Sequence, residues 1–340
     1  KMAPMRDLPQ TQDWPPRGGL ELLIFRADLV RNCRLFFDQR QYLEVETPIL
    51  SQDTVVDANI DPLIAEYQPD RAADPIYYFL QTSPEFGMKR LLAAGAKAIY
   101  QIAHVFRNGE AGRLHNPEFT MIEWYRAGDT HLEQMSLTEE LVRILAIASG
   151  QKLKSAPFRR LSYDDAFERA IGRRVLRMTP ADLRTVCREC RIDLPASLPL
   201  DDRDGLLNLI LAEKVEPTLG VDQPEFVFDF PASQAALAIV RKDDPPVAER
   251  FELYWRGIEL CNGYHELTDP LELRRRMTEE NRKRVREGAK SLPEYNRLLD
   301  AMETGLPPCS GVALGFDRLA MLLAGKETLA DVLPFPFPRA

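Results

Sequence analysis

The sequence predicts an α+β protein, a mainly antiparallel sheet flanked by helices and interrupted by a helical insertion. Segments of strand composition lie at both ends of the 340-residue chain, and a helix-periodic block, about 131–220, lies between them. With 45% apolar and 28% charged residues, the chain can bury one large core or two modest ones.

Residues 1–19 are proline-rich and aperiodic and read as a loose leader, with a single domain from 20 to 340. In residues 20–40, Leu22, Phe25, Leu29, Cys33 and Phe36 recur at helical spacing and predict an amphipathic helix. YLEVETPIL reads as a short strand ending at Pro48, which has no N–H to give a ladder. YYFLQT and AIYQIAHVF are strands around the helix PEFGMKRLLAAG, whose first turn suits Pro84 and Glu85. AIYQIAHVFR and EFTMIEWYRA are two apolar arms on either side of a polar loop. The helical block comprises HLEQMSLTEELVRILAIASG, YDDAFERAIG, TPADLRTVCRECRI and RDGLLNLILAEKVEPTLG. Strands return in EFVFDFP, RFELYW, IELCNGYHEL and GVALG, and FDRLAMLLAG is a last helix.

Composition excludes several classes. The net charge of −8 supplies no general field for nucleic acid. No run of about 18 apolar residues is present, and residues 1–19 lack a secretory apolar core, so no membrane partner and a cytoplasmic location are expected. Five scattered cysteines do not form a disulfide framework, and Cys187 and Cys190 read as a plain helical pair. His104, His115, His131 and His265 show no metal-ligand spacing along the chain.

Three segments can carry chemistry. Glu252, Glu259 and Glu266 lie in strand-forming sequence. A two-residue turn at Arg256–Gly257 would oppose 254 with 259 and 252 with 261, putting Glu252 and Glu259 on one face, away from any obvious cation. Such a pair suits a metal or a cationic ligand; the alternative is a solvent-facing acidic hairpin. Strict alternation sends Glu266 to the other face unless Gly263 supports a bulge. In GVALGFDRL, Gly311 and Gly315 permit close backbone approach and Arg318 lies in the first helical turn, where phosphate oxygens are well met. In FRNGEAGRLHNPEFTMIEWY, Arg107 faces His115 and Asn116 across a loop, and Phe119 and Tyr125 offer stacking surfaces. Together these segments add up to an ATP site without a P-loop.

In order and spacing, VETP, TSPEFGMKRL, the loop just quoted, RFELYWRGIELCNGYHEL and GVALGFDRLAML resemble the three signature motifs of class II aminoacyl-tRNA synthetases in their lysyl form. The resemblance runs from about residue 20 to the end. It implies a class II synthetase-like antiparallel sheet and the cofactors ATP and Mg2+. Arg107 would hold the α-phosphate, with Asn108, Gly109, Glu110, His115 and Asn116 around the adenylate and Phe119 stacking on adenine. Glu252 and Glu259 would bind magnesium, with the backbone of Leu260 and Gly315 nearby, and Arg318 would meet the γ-phosphate. Ser83, Pro84, Glu85, Tyr125, Glu266 and Ala313 would line the amino-acid pocket, Glu266 meeting a distal ammonium.

The departures narrow the resemblance. Lysyl enzymes usually read Arg-Asn-Glu-Gly, whereas Gly109 and Glu110 stand in the reverse order here, so either Glu110 or the Gly109 backbone would make the adenine contact. Ser83 and Ala313 replace a usual alanine and glycine, and a methyl in a tight pocket shifts preference by about 1–3 kcal/mol. Residues 1–19 are too short for the OB-fold that reads an anticodon, so no anticodon-binding domain and no stable nucleic-acid partner are expected. This pattern resembles the stand-alone lysyl-synthetase paralogues that attach (R)-β-lysine to a lysine side chain of elongation factor P. It implies formation of a β-lysyl-adenylate, then attack by a neutral acceptor amine, for which no general base stands out. It also implies a homodimer through the 20–40 helix and the strand ending at Pro48. The alternatives are a truncated enzyme charging tRNA with lysine, a small-acceptor amide ligase, and a silent regulatory subunit; the retained arginines and carboxylates speak against silence.

Overall fold

The computed structural model describes residues 14–340, and its first element is helix α1 (Gly19–Asp38). Most of the expected leader, residues 1–13, lies outside the described residues. The apolar stripe of α1 behaves as its spacing predicts: Leu22, Leu29, Cys33 and Phe36 are buried, and Phe25 packs against them.

The strand expected over 42–50 splits at Pro48. Strand β1 (Leu43–Glu44) runs parallel to β5 (Ala98–Phe106), whereas β2 (Leu50–Ser51) joins a separate three-stranded sheet with β3 (Ile64–Tyr67) and β4 (Ile76–Leu80). Helix α2 (Glu85–Ala93), capped by Pro84, leads into β5 (Ala98–Phe106) and β6 (Glu118–Ala127). These two strands pair antiparallel along their length, from Ala98 opposite Arg126 to Phe106 opposite Glu118.

Helix α3 (His131–Ala148) begins at a capping box in which Thr130 and Glu133 bond one another's backbone ends. Strand β7 (Arg159–Ser162), which is polar and only four residues long, is absent from the sequence reading. Helices α4 (Tyr163–Ile171), α5 (Pro180–Glu189) and α6 (Arg203–Ile210) start at the side-chain caps Ser162, Thr179 and Asp202. These three share a core of their own with Val227, Phe230 and Tyr254 of the sheet, whereas α3 packs into the main core with α1. Cys187 lies within α5 and Cys190 caps it, both as free thiols.

Strands β8 (Glu225–Pro231), β9 (Val240–Arg241), β10 (Val247–Trp255) and β11 (Ile258–His265) follow. Helices α7 (Pro270–Arg286) and α8 (Arg297–Gly305) come next, in a stretch where the sequence reading places no element. The buried stripe of α7 explains the omission: it reads Leu273, Met277, Asn281, Arg284, so apolar periodicity stops after two residues. Arg284 is nevertheless tied down, donating to the carbonyls of Asp57 and Ile60 and pairing with Asp61 at 2.5 Å. Strand β12 (Cys309–Gly315) and helix α9 (Phe316–Leu323) complete the fold.

The main sheet runs β1-β5-β6-β12-β11-β10-β8-β7, with β9 on β10; the pairs β1/β5 and β7/β8 are parallel and the other pairs antiparallel. The mixed sheet flanked by helices is the α+β class expected. One face carries Ile122, Trp124, Phe251, Leu253 and Val312 into the core under α1, α3 and α9. The other carries polar side chains and forms the floor of a cavity.

Candidate active site

Period-two alternation turns one set of side chains from four adjacent strands, most of the polar ones among them, to one side. On β6 these are Phe119, Met121, Glu123 and Tyr125; on β12, Gly311, Ala313 and Gly315; on β11, Glu259, Asn262 and Tyr264, with Glu266 just past its end; and on β10, Arg250 and Glu252. All line a cavity of about 970 Å³. Helix α7, the loop it holds at 55–60 and the α6 region form its walls.

The β10–β11 hairpin turns at Arg256 and Gly257, both at positive φ as a type I′ turn requires. Tyr254 opposes Glu259 as expected, but the register then shifts, so that Glu252 opposes Asn262 rather than Cys261. The irregularity falls at Leu260, not at Gly263. It brings Glu266 onto the same face as Glu252 and Glu259, against strict alternation. Gly263 instead makes room for an aromatic ring, since a Cβ there would sit 2.4 Å from Phe251.

The expectation that Glu252 lacks a nearby cation is also corrected. Arg250, two residues away on the same face, pairs with it at 2.5 Å, and Tyr254 and Asn262 donate to it. Burial raises the Glu252 pKa, Arg250 opposes the rise and Glu259 adds to it. Sequence reasoning missed Glu216, which follows α6 and lies 3.4 Å from the Tyr254 hydroxyl. Burial, then Glu252 and Glu259, push its pKa up to about 7. No local pattern in the helical insertion marks this residue.

At one end of the cavity, Arg318 stands in the first turn of α9. It donates to the carbonyls of Leu114 and Glu259 and lies 3.7 Å from the Glu259 carboxylate. His115 accepts from it at 2.9 Å; burial and then the Arg318 charge lower the histidine's pKa, keeping the ring neutral. Arg107 lies over the Phe119 ring at 5.1 Å, 3.6 Å from Glu110. Its Nε is buried without a partner. Gly315 lies against the Leu260 carbonyl, 3.7 Å from where a Cβ would stand. Asn116 lines the cavity, but both ends of its amide hold the backbone, at the Glu118 carbonyl and the Phe337 N–H. Pro84, Asn108 and Gly109 do not reach the wall: Pro84 caps α2, and Asn108 and Gly109 form an exposed loop tip.

At the other end lies a buried polar knot. Lys89, from the second turn of α2, pairs with Glu85 at 2.5 Å and with Glu266 at 2.6 Å. Glu123 accepts from Ser83 Oγ at 2.7 Å and from the Tyr125 hydroxyl at 2.6 Å. Burial opposes the charge on Lys89, but Glu266 and Glu85 outweigh it and keep the ammonium protonated. Burial and then Glu85 push Glu123 up to about 7. Glu266 is raised as well, by burial, with Lys89 opposing. The knot thus holds three carboxylates and one ammonium, with Glu85 and Glu266 paired to Lys89 and Glu123 held by hydroxyls, an arrangement short of positive charge. Glu123 was missed by the sequence reading although it alternates with Phe119 and Tyr125; Lys89 lies one turn after Glu85, and that spacing marks it too.

Gly311 makes the knot possible. A Cβ at this position would come within 2.1 Å of the Tyr125 ring and 2.8 Å of Glu266. Ala313, opposite both Asn262 and Glu123, adds one methyl to the floor between the two ends.

The family model for class II tRNA synthetases (D, K and N) matches residues 18–339. The chain belongs to that family. Within it, the chain is 46% identical over 331 residues to an elongation factor P–(R)-β-lysine ligase of Yersinia enterocolitica, covering 97% of this chain and 99% of the relative. It is 45% identical over 328 residues to the protein of that name from Vibrio vulnificus, covering 96% and 99%. The Salmonella arizonae ligase is 44% identical over 331 residues, covering 97% and 99%. The class II synthetase resemblance of the motifs is thus borne out along nearly the whole chain. No described helix is long and apolar enough to cross a membrane.

Proposed function

We propose that this chain is an ATP-dependent, AMP-forming ligase that activates (R)-β-lysine as its adenylate and passes it to a lysine side chain of elongation factor P. The observation that carries the reading is the polarity of the cavity, with two arginines at one end and a buried excess of carboxylate at the other. A polyphosphate suits the first end and a diamino acid the second. The relatives' names supply the amino acid and the acceptor.

In this reading Arg107 meets the α-phosphate, Arg318 the γ-phosphate, and adenine stacks on Phe119. Glu110, which reaches the wall, takes the adenine contact in preference to the Gly109 backbone, which does not. Glu266 and Glu85 hold the distal ammonium, and Ser83, Tyr125 and Ala313 shape the rest of the pocket. The substrate carboxylate then attacks the α-phosphorus and pyrophosphate leaves. Preorganisation matters because Arg318 is already fixed by two carbonyls before charge develops. Glu252 and Glu259, with Glu216 beside them, are hard oxygen donors whose mutual repulsion a divalent cation relieves, so they fit magnesium. Bound there, magnesium would supply charge neutralisation of the phosphates.

Exposed Leu20, Ile24 and Leu35 on α1, with Leu43 and Leu50 nearby in sequence, support a homodimer through this surface. The same reading places the enzyme in the cytoplasm.

Two measurements test the proposal. Pyrophosphate exchange should depend on (R)-β-lysine, and its absence with both lysine and β-lysine would refute activation. Incubation with labelled β-lysine, ATP, tRNA and elongation factor P should label the protein factor; label on tRNA alone would overturn the acceptor assignment.

A further inference from the structure

The histidines show no ligand spacing along the chain, yet folding gathers two of them around one carboxylate. His131 opens α3, Glu249 lies in β10 and His265 ends β11; one ligand atom from each lies within 4.8 Å of the others. Glu249 Oε2 is the hub, 2.5 Å from His265 Nδ1 and 3.7 Å from His131 Nδ1. Its other oxygen lies 3.6 Å from Arg241, which also pairs with Asp229 at 2.8 Å and Asp243 at 2.7 Å. Three carboxylates, Glu249, Asp229 and Asp243, thus gather around the Arg241 guanidinium.

A second observation points to a ligand. The His131 side chain is only 4% exposed, and neither ring nitrogen has a hydrogen-bond partner. Asp229 Oδ1 is likewise buried and unpartnered. Buried polar atoms are rarely left idle, because each has given up its water without replacement.

We propose that His131, Glu249 and His265 bind a divalent transition-metal ion, zinc foremost, at a site separate from the carboxylates of the nucleotide end. Two imidazoles and a carboxylate are a recognised zinc donor set with a fourth position free. Zinc bonds of about 2.0–2.1 Å in a tetrahedron put neighbouring ligand atoms about 3.3 Å apart. The His265–Glu249 contact then opens slightly and the His131–Glu249 contact closes slightly. None of the three residues lines the cavity. The ion clips the first turn of α3 to β10 and β11, next in sequence to Glu266, and so acts as a positioning element.

The test uses the full chain, stripped with chelator and titrated with zinc in magnesium-free buffer. The expected result is about one equivalent bound, a rise in Tm, and affinity lowered by more than roughly 100-fold in His131→Gln and His265→Gln. Glu252→Gln should retain the equivalent, which separates this site from the nucleotide end. Zinc binding unchanged in the histidine variants, or lost in Glu252→Gln, would overturn the proposal. If the histidine variants fail to fold, cobalt(II) added to the unmodified protein decides: tetrahedral visible absorption supports the site, and its absence defeats it.

Discussion

At the end of the cavity proposed for the nucleotide, the key cations are two partly exposed arginines, one of them held by backbone carbonyls. At the amino-acid end, three carboxylates and a lysine are withdrawn almost completely from solvent. The difference matches the ligands proposed. A polyphosphate brings enough charge to be held by groups that never fully lose water, so little desolvation is needed. A small diamino acid must be told from its neighbours, and buried groups that are poorly satisfied without it discriminate most strongly. Substitutions at each end put this contrast to the test.

The largest effect is expected from Glu266→Gln, which leaves buried Lys89 with only Glu85. Loss of about 3–5 kcal/mol is expected in amino-acid kcat/KM, with ATP affinity little changed. Equal damage to both substrates would erase the division of the cavity. Arg107→Ala should show the reverse pattern in pyrophosphate exchange, a fall of roughly 100- to 1,000-fold in kcat with amino-acid binding preserved.

Glu123 connects the amino-acid end to pH. Its folded pKa of about 7 exceeds the ordinary value of 4.5, so the folded chain holds the proton more tightly than the unfolded one. The stabilisation is complete below pH 4.5 and is lost as pH rises through about 7, up to about 3 kcal/mol. Urea unfolding of the ligand-free protein should therefore show stability falling from about pH 5 to about pH 8, with a shallower slope in Glu123→Gln. A cationic ligand favours the ionised form, so its binding near pH 7 should release protons, measurable by calorimetry in buffers of different ionisation enthalpy.

Gly311→Ala forces a methyl into the Tyr125 ring and should cost about 1–3 kcal/mol in stability while raising amino-acid KM. The smallest effect belongs to Glu110→Ala. Removing a partly exposed carboxylate at the nucleotide end should raise the ATP KM only about threefold, within the modest range of solvent-screened contacts. No change at all would remove Glu110 from the adenine contact.

Much of the fold is legible because its strands are long and alternate cleanly: β5, β6 and β8 occupy the spans that AIYQIAHVF, EFTMIEWYRA and EFVFDFP suggest. Most of the elements missed have a weak local signal, whereas α8, with Leu298, Leu299 and Met302 at helical spacing behind the Asn296 cap, was legible and overlooked. β3 and β7 have four residues each, and α7 buries an asparagine and an arginine where apolar residues would have marked a helix. At the site, Arg107, Glu259, Arg318 and Glu266 are visible in sequence as charges in strand or turn context. Glu123 was within reach of alternation, whereas Glu216 was not, because its place beside Glu252 depends on how the insertion packs.

Strand and helix periods, the order of the motifs and the residues able to meet phosphate follow from the sequence without the fold, since each depends on neighbours a few positions apart. The register shift at Leu260, which puts Glu266 on the same face as Glu252 and Glu259, is visible only once the strands are paired. The same holds for Lys89 among three carboxylates and for His131 near Glu249 and His265. These are contacts between distant segments, set by strand register and by the packing of helices on the sheet, and no local pattern encodes them.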